Sequence, residues 1–121
     1  MITGIDVVFI HSSNKELAEW YKKTLGLEMG YADDHWQEFA FKKGSRFALD
    51  IPSEIKSVVE EQPIMISFAV DDIKETVENL SSQGVRLFPS KDKTIFDVGH
   101  AFVATFQDAD GNWMQLSQEK T

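Results

Sequence analysis

Residues 64–84, IMISFAVDDIKETVENLSSQG, hold in one run the signals for a strand, a helix cap, a helix and a helix stop. The apolar run 64–70 predicts a strand. Asp72 precedes Glu75 by three residues, which is the spacing of a capping box. The apolar residues that follow recur at helical spacing, and Gly84 can adopt the left-handed conformation that ends a helix. The stretch therefore predicts one β-α unit.

The chain after Gly84 predicts three further strands. Val85–Phe88 is the first, and a polar loop over residues 89–99 follows it. Residues 101–106 and 112–117 then form a hairpin around the turn Asp108-Ala-Asp-Gly111.

The N-terminal half repeats this order. Residues 5–10 predict a strand, and a capping box at Ser13-Asn-Lys-Glu16 predicts a helix start. Gly26 ends that helix. Its apolar face, on which we expect Trp20 in the core, comprises Leu17, Trp20, Tyr21 and Leu25. Three strands then follow, over residues 27–31, 36–41 and 46–51.

The repeated order predicts an α+β fold of two βαβββ modules whose curved mixed sheets surround a cleft. We expect a single domain over residues 1–121, with module 1 at 1–51, a linker at 52–63 and module 2 at 64–121. The linker is expected to contain one helical turn around residues 55–59. A sheet covered by one helix exposes its other face, and two such faces can enclose a ligand site.

Composition excludes several functions. The chain has 121 residues, no Cys and a formal charge of −8 from 12 basic and 20 acidic side chains. Without a basic face, nucleic-acid binding is not expected, and no apolar run is long enough for a membrane helix. Without Cys there is no thiolate metal site or disulfide. We expect a cytoplasmic protein, and the acidic charge favours cationic over anionic ligands.

One segment resembles a known family. Residues 106–116, FQDADGNWMQL, are similar to a Phe-x-Asp-Pro-Asp-Gly-Asn-x-x-Glu-Leu segment of the vicinal oxygen chelate superfamily, with Ala109 in place of the usual Pro. This superfamily includes glyoxalases, bleomycin-resistance proteins and extradiol dioxygenases. Ile5-Asp6, the run from Trp20 to Leu27, and Val70-Asp-Asp-Ile73 also match it, in order. The resemblance covers nearly the whole chain and implies the duplicated fold and a homodimer.

The resemblance also implies four positions for the ligands of a divalent ion. In this sequence these positions hold Val7, Ala48, Met65 and Gln115, and Asp50 replaces Ala48 if the register shifts by two. A hydrocarbon, a methyl, a thioether and a neutral amide do not suit a hard cation. We therefore expect no metal and no other cofactor.

The candidate ligand-binding residues follow from the strand pattern. By alternation Trp113 shares a face with Gln115, and Trp36 shares one with Glu38. We expect these four side chains to contact a ligand over a floor of Val7 and Met65. His100, after Gly99, is a further candidate contact, whereas His11 is expected to have a surface or capping role.

These residues predict metal-independent binding of a small organic molecule. The resemblance to the bleomycin-resistance branch implies drug sequestration, and no catalytic residue is assigned. The first alternative is a metal-dependent lyase, isomerase or dioxygenase of the glyoxalase type, with ligands drawn from Gln115, Asp50, His100 and Glu38. The second alternative is a degenerate member that acts only as a dimerisation module, with its cleft packed shut.

Overall fold

The computed structural model describes residues 1–51 and 62–121. They divide into two compact units. The N-terminal unit comprises Val7–Met65, and the C-terminal unit comprises Met1–Asp6 with Ile66–Thr121. Helices and strands follow the predicted α+β order in both, with one additional short strand in the C-terminal unit. The predicted linker, apart from residues 62 and 63, and its helical turn lie outside the described residues.

The N-terminal unit is built on a mixed sheet. Strand β1 pairs parallel with β4, and β3 pairs antiparallel with both β2 and β4. The strands therefore lie in the order β2-β3-β4-β1. The elements are β1 (Ile2–His11), α1 (Leu17–Leu25), β2 (Met29–Ala32), β3 (Trp36–Phe39) and β4 (Arg46–Asp50).

Helix α1 covers one face of this sheet. Tyr21 places its ring centroid 5.8 Å from that of Phe39 and 5.4 Å from that of Phe47. Phe39 and Leu49 are buried beneath the helix. Because strand side chains alternate, the residues between them point to the opposite face. That face carries Val7, Phe9, His11, Trp36, Glu38, Arg46, Ala48 and Asp50.

Two expectations about α1 were wrong. The helix begins at Leu17, and its N-cap Glu16 makes no side-chain capping bond. The side chain of Asn14 instead accepts a hydrogen bond from the Glu16 amide at 3.0 Å, so a local turn replaces the predicted Ser13 cap. Trp20 is 50% exposed, because it lies about 100° around the helix from Tyr21, which points at the sheet.

The C-terminal unit has its own mixed sheet. Strand β9 pairs parallel with β5 and antiparallel with β8, which also pairs with two short strands. The elements are β5 (Ile64–Val70), α2 (Ile73–Ser82), β6 (Leu87–Phe88), β7 (Phe96–Asp97), β8 (Ala101–Gln107) and β9 (Trp113–Glu119). The predicted polar loop 89–99 thus contains the strand β7. This strand forms through backbone pairing with β8, and the residues of the loop alone do not predict that pairing.

Local signals in this unit act as predicted. The side chain of Asp72 accepts a hydrogen bond from the Glu75 amide at 3.0 Å and caps α2. Gly84 follows the helix with φ of +80°. In the β8–β9 turn, the side-chain and backbone amides of Asn112 donate to Asp108 and hold the pKa of that carboxyl below its usual value.

Helix α2 covers one face of the C-terminal sheet. Its Ile73 and Val77 pack on Leu116 and Ala104, which are almost fully buried. By alternation, the other face of the sheet carries two of the predicted site residues, Trp113 and Gln115, together with Ser67, Thr105, Gln107 and Ser117.

Candidate functional site

Trp113 and Gln115 lie on the same face of the C-terminal sheet, as alternation predicts. Trp113 is paired with Gln107 across the β8–β9 hairpin. Gln115 lies between Ser67 on β5 and Thr105 on β8. We call the surface formed by Ser67, Thr105, Gln107, Trp113 and Gln115 the Trp113 face. It places an indole beside two side-chain amides and two hydroxyls on three adjacent strands.

Two features that the sequence did not predict complete the Trp113 face. The Arg86 guanidinium carbon lies 5.3 Å from the centroid of the Trp113 ring, and the Phe88 ring meets Trp113 edge-on at 6.1 Å. The Ser67 side chain is 0% exposed, and within residues 1–51 and 62–121 its hydroxyl has no hydrogen-bond partner. A buried hydroxyl without a partner costs about 1–3 kcal/mol, and at 0% exposure this one is closed to a ligand in the described conformation.

Trp36 and Glu38 meet on the N-terminal sheet. The Trp36 indole N–H donates to Glu38 Oε1 at 3.2 Å, and Arg46 Nη1 donates to the same oxygen at 2.6 Å. The sequence predicted the first two residues on one face but not the arginine. Because the Arg46 guanidinium neutralises Glu38, this cluster has less attraction for a cationic ligand than the carboxylate alone would have. A cavity of about 220 Å³ borders Glu38 and Arg46.

His11 is buried, so the expected surface or capping role was wrong. Its side chain is 5% exposed, and its Nδ1 lies 2.9 Å from Oδ2 of Asp50, 39 residues along the chain. The His11 ring meets the Phe9 ring edge-on at 5.0 Å, and Phe9 is also 5.0 Å from Trp36. Strand β1 extends one residue beyond its predicted end, and this extension places His11 on the same face as Val7 and Phe9. The alternation itself was a signal that could have found it.

His100 does not join the other candidates. It is exposed in the turn before β8, where its carbonyl accepts a hydrogen bond from the Lys120 amide at 3.0 Å. Ala101 pairs with Glu119 at that end of the hairpin, whereas Gln107 pairs with Trp113 at the other end. At roughly 3.3 Å per residue, about 20 Å of strand separates His100 from Trp113.

The resemblance implied four metal-ligand positions, and at three of them the side chains have no donor for a hard divalent ion. Val7, Ala48 and Met65 are at most 3% exposed and offer no nitrogen or oxygen donor from their side chains. The alternative ligand Asp50 is bonded to His11. In the part of the chain that the structure describes, no group of three His, Asp or Glu side chains could hold a metal ion.

None of the helices among the described residues is long and apolar enough to cross a membrane.

Solved structures share the fold. The chain superposes on a methylmalonyl-CoA epimerase from Mycobacterium tuberculosis with a TM-score of 0.73 and 23% identity, covering 99% of this chain and 90% of that one. A structure described as an NAD-dependent benzaldehyde dehydrogenase from Legionella pneumophila gives a TM-score of 0.72 and 18% identity, covering 94% of this chain and 98% of that one. A structure described as a glyoxalase/bleomycin resistance protein/dioxygenase superfamily member from Vibrio splendidus gives a TM-score of 0.64 and 16% identity, covering 93% of this chain and 97% of that one. Their names differ while their fold is shared, so this likeness describes the fold alone.

The sequence comparison assigns the family. No curated protein sequence matches the chain significantly. Residues 7–116 match the family model described as the Glyoxalase/Bleomycin resistance protein/Dioxygenase superfamily. This match extends over nearly all of both units and agrees with the resemblance of residues 106–116. The chain therefore belongs to the glyoxalase/bleomycin resistance protein/dioxygenase superfamily.

Proposed function

We propose that this protein binds a small organic molecule without a metal ion. One observation carries the proposal: where the family places metal ligands, the structure has the buried apolar side chains of Val7, Ala48 and Met65. Gln115, at the fourth position, is a neutral amide that stands beside Trp113 and Ser67 instead.

The Trp113 face indicates the chemistry of the ligand. The indole offers a flat apolar surface, and the half-buried Gln115 offers hydrogen bonds to a carbonyl or hydroxyl group. Arg86 already lies over the Trp113 ring. A neutral ligand, or one with a negative group, suits these surroundings better than the cation that the net charge of the chain favours. Homodimer formation and a cytoplasmic location stay predictions.

Chelator-treated protein is expected to give no stoichiometric heat of binding with nickel, zinc or manganese ions in a calorimetric titration. The physical reason is the shortage of hard donors at the four family positions. The chelator titrated with the same metal stock serves as the positive control. Binding of one equivalent of metal, lost in the Gln115→Ala variant, would contradict the proposal and favour the metal-dependent lyase or isomerase.

A second candidate function is metal-free acid–base catalysis, and the His11–Asp50 pair favours it. If Asp50 is ionised, its carboxylate accepts the hydrogen bond from His11 Nδ1, and this tautomer leaves Nε2 as the basic nitrogen. Asp50 thereby orients a buried imidazole on the sheet face that also carries Phe9 and Trp36. Imidazole held in this way is a common general base. Several proteins with this fold are epimerases of methylmalonyl-CoA, which gives a substrate to test.

If this second function holds, the protein incubated with methylmalonyl-CoA in deuterium oxide will introduce deuterium at the carbon between the two carbonyl groups. His11→Gln is expected to remove the exchange, because glutamine keeps the polarity of the position but cannot accept the proton. His100→Gln, at the exposed turn, is the matched control and should leave the exchange unchanged. Equal exchange in all three proteins, or none in the parent, would argue against this function. Mass spectrometry of the thioester measures the incorporation.

A further inference from the structure

We propose that a cavity in the C-terminal unit, separate from the Trp113 face, binds the phosphate group of an organic phosphate. The cavity has a volume of about 340 Å³. Helix α2 supplies one wall, and the segment 91–95 supplies the other. We call it the lysine cavity because Lys74, Lys91 and Lys93 stand at its rim.

The lysine cavity concentrates positive charge on an acidic protein. Its three lysines face two carboxylates, Glu78 and Asp92, which leaves a local charge of +1 on a chain of net charge −8. Within residues 1–51 and 62–121, the lysines that form ion pairs are Lys22, Lys23 and Lys120, and none of these lines the cavity. The charge of the three cavity lysines is therefore available to an anion.

The wall that carries two of the lysines is anchored. Thr94 is 3% exposed, and its hydroxyl donates to the Phe88 carbonyl at 2.7 Å. The Lys93 amide bonds to the Ser90 carbonyl at 3.3 Å and closes a tight turn with Lys91 inside it. Ile95 packs against the buried core under α2. This anchoring reduces the entropy lost when the two lysines engage a ligand.

The floor of the lysine cavity is apolar, and this feature selects the class of anion. Val77 is buried, and Ile95 is partly buried beside it. A ligand with a phosphate on an apolar or aromatic body satisfies both the charged rim and the floor, whereas inorganic phosphate uses the rim alone. A phosphate carries nearly two charges and three acceptor oxygens, so it gains more from three ammonium groups than a single carboxylate does.

The test is calorimetric binding of adenosine diphosphate at low ionic strength, with inorganic phosphate and adenosine as separate probes. We expect the diphosphate to bind more tightly than inorganic phosphate, and adenosine alone to bind least. The double substitution Lys91→Gln/Lys93→Gln should weaken binding at least tenfold. Lys42→Gln/Lys43→Gln removes the same charge from exposed residues of the N-terminal unit and should change the dissociation constant less than twofold.

A further variant strengthens the design. Asp92→Asn removes a rim carboxylate and should tighten binding of the diphosphate several-fold. The proposal is overturned if the parent protein shows no binding at millimolar diphosphate. It is also overturned if the two double lysine variants lose affinity equally, since binding would then depend only on the net charge of the protein. Circular dichroism shows whether each variant is folded, and Lys74→Gln, on the opposite wall, provides an independent loss should the double variant unfold.

Discussion

Trp113→Ala is expected to abolish the binding of the compounds that raise the melting temperature of the parent protein in a screen of small organic molecules. Covering about 100 Å² of indole with a ligand contributes about 2.5 kcal/mol at about 25 cal/mol per Å². Losing that contact weakens binding by roughly a hundredfold. A ligand at a hundred times its dissociation constant stabilises the folded protein by about 2.7 kcal/mol, so the shift in melting temperature should disappear.

Trp20→Ala is the matched control for this experiment. It removes the same side chain from the exposed surface of α1, where the Trp20 ring contacts Tyr21. The compounds that bind the parent should bind this variant with unchanged affinity. A compound whose thermal shift survives Trp113→Ala would show that its site lies elsewhere and would refute the assignment of the Trp113 face.

Leu116→Ala is expected to lower the free energy of unfolding by about 3 kcal/mol, within the usual range of 2–5 kcal/mol for a buried leucine. Leu116 is 0% exposed in the core between β9 and α2, beside Val77 and Ala104. The cavity left by the substitution cannot collapse easily, because the surrounding side chains belong to a helix and to paired strands. Urea denaturation measures the change.

Leu25→Ala removes the same atoms from a residue that is 55% exposed at the last position of α1. It should cost less than about 1 kcal/mol. If Leu116→Ala leaves too little folded protein to measure, Leu116→Val should give a smaller loss of the same sign. Helical periodicity alone assigns Leu25 to the buried face of α1, whereas the structure leaves it exposed. Equal losses for Leu25→Ala and Leu116→Ala would therefore contradict the structure's description of the core.

The features that local sequence predicted depend on neighbouring residues. Asp72 caps α2 because the amide it accepts from lies three residues away. Gly26 and Gly84 follow their helices because only glycine adopts a positive φ there without steric cost. The shared face of Trp113 and Gln115 follows from strand alternation. In each case the interaction lies within a few residues, so a pattern in the sequence is sufficient evidence for it.

The contacts missed from the sequence join distant segments. His11 meets Asp50 because β1 and β4 pair in a particular register, whereas a strand that ends at Ile10 leaves His11 in the following loop. Trp20 has helical spacing but lies on an arc of α1 that the sheet does not reach. Helical periodicity identifies a set of side chains, and packing selects the subset that is buried.

The amino-acid sequence by itself determined the order of elements, the superfamily resemblance and the absence of hard donors at Val7, Ala48 and Met65, because these depend on residue type and short-range spacing. Only the tertiary structure decided that Arg86 lies over Trp113, that Ser67 is buried beside Gln115 and that three lysines surround one cavity. These contacts depend on strand register and on the path of loops, and a shift of one residue in a strand would turn each side chain to the opposite face.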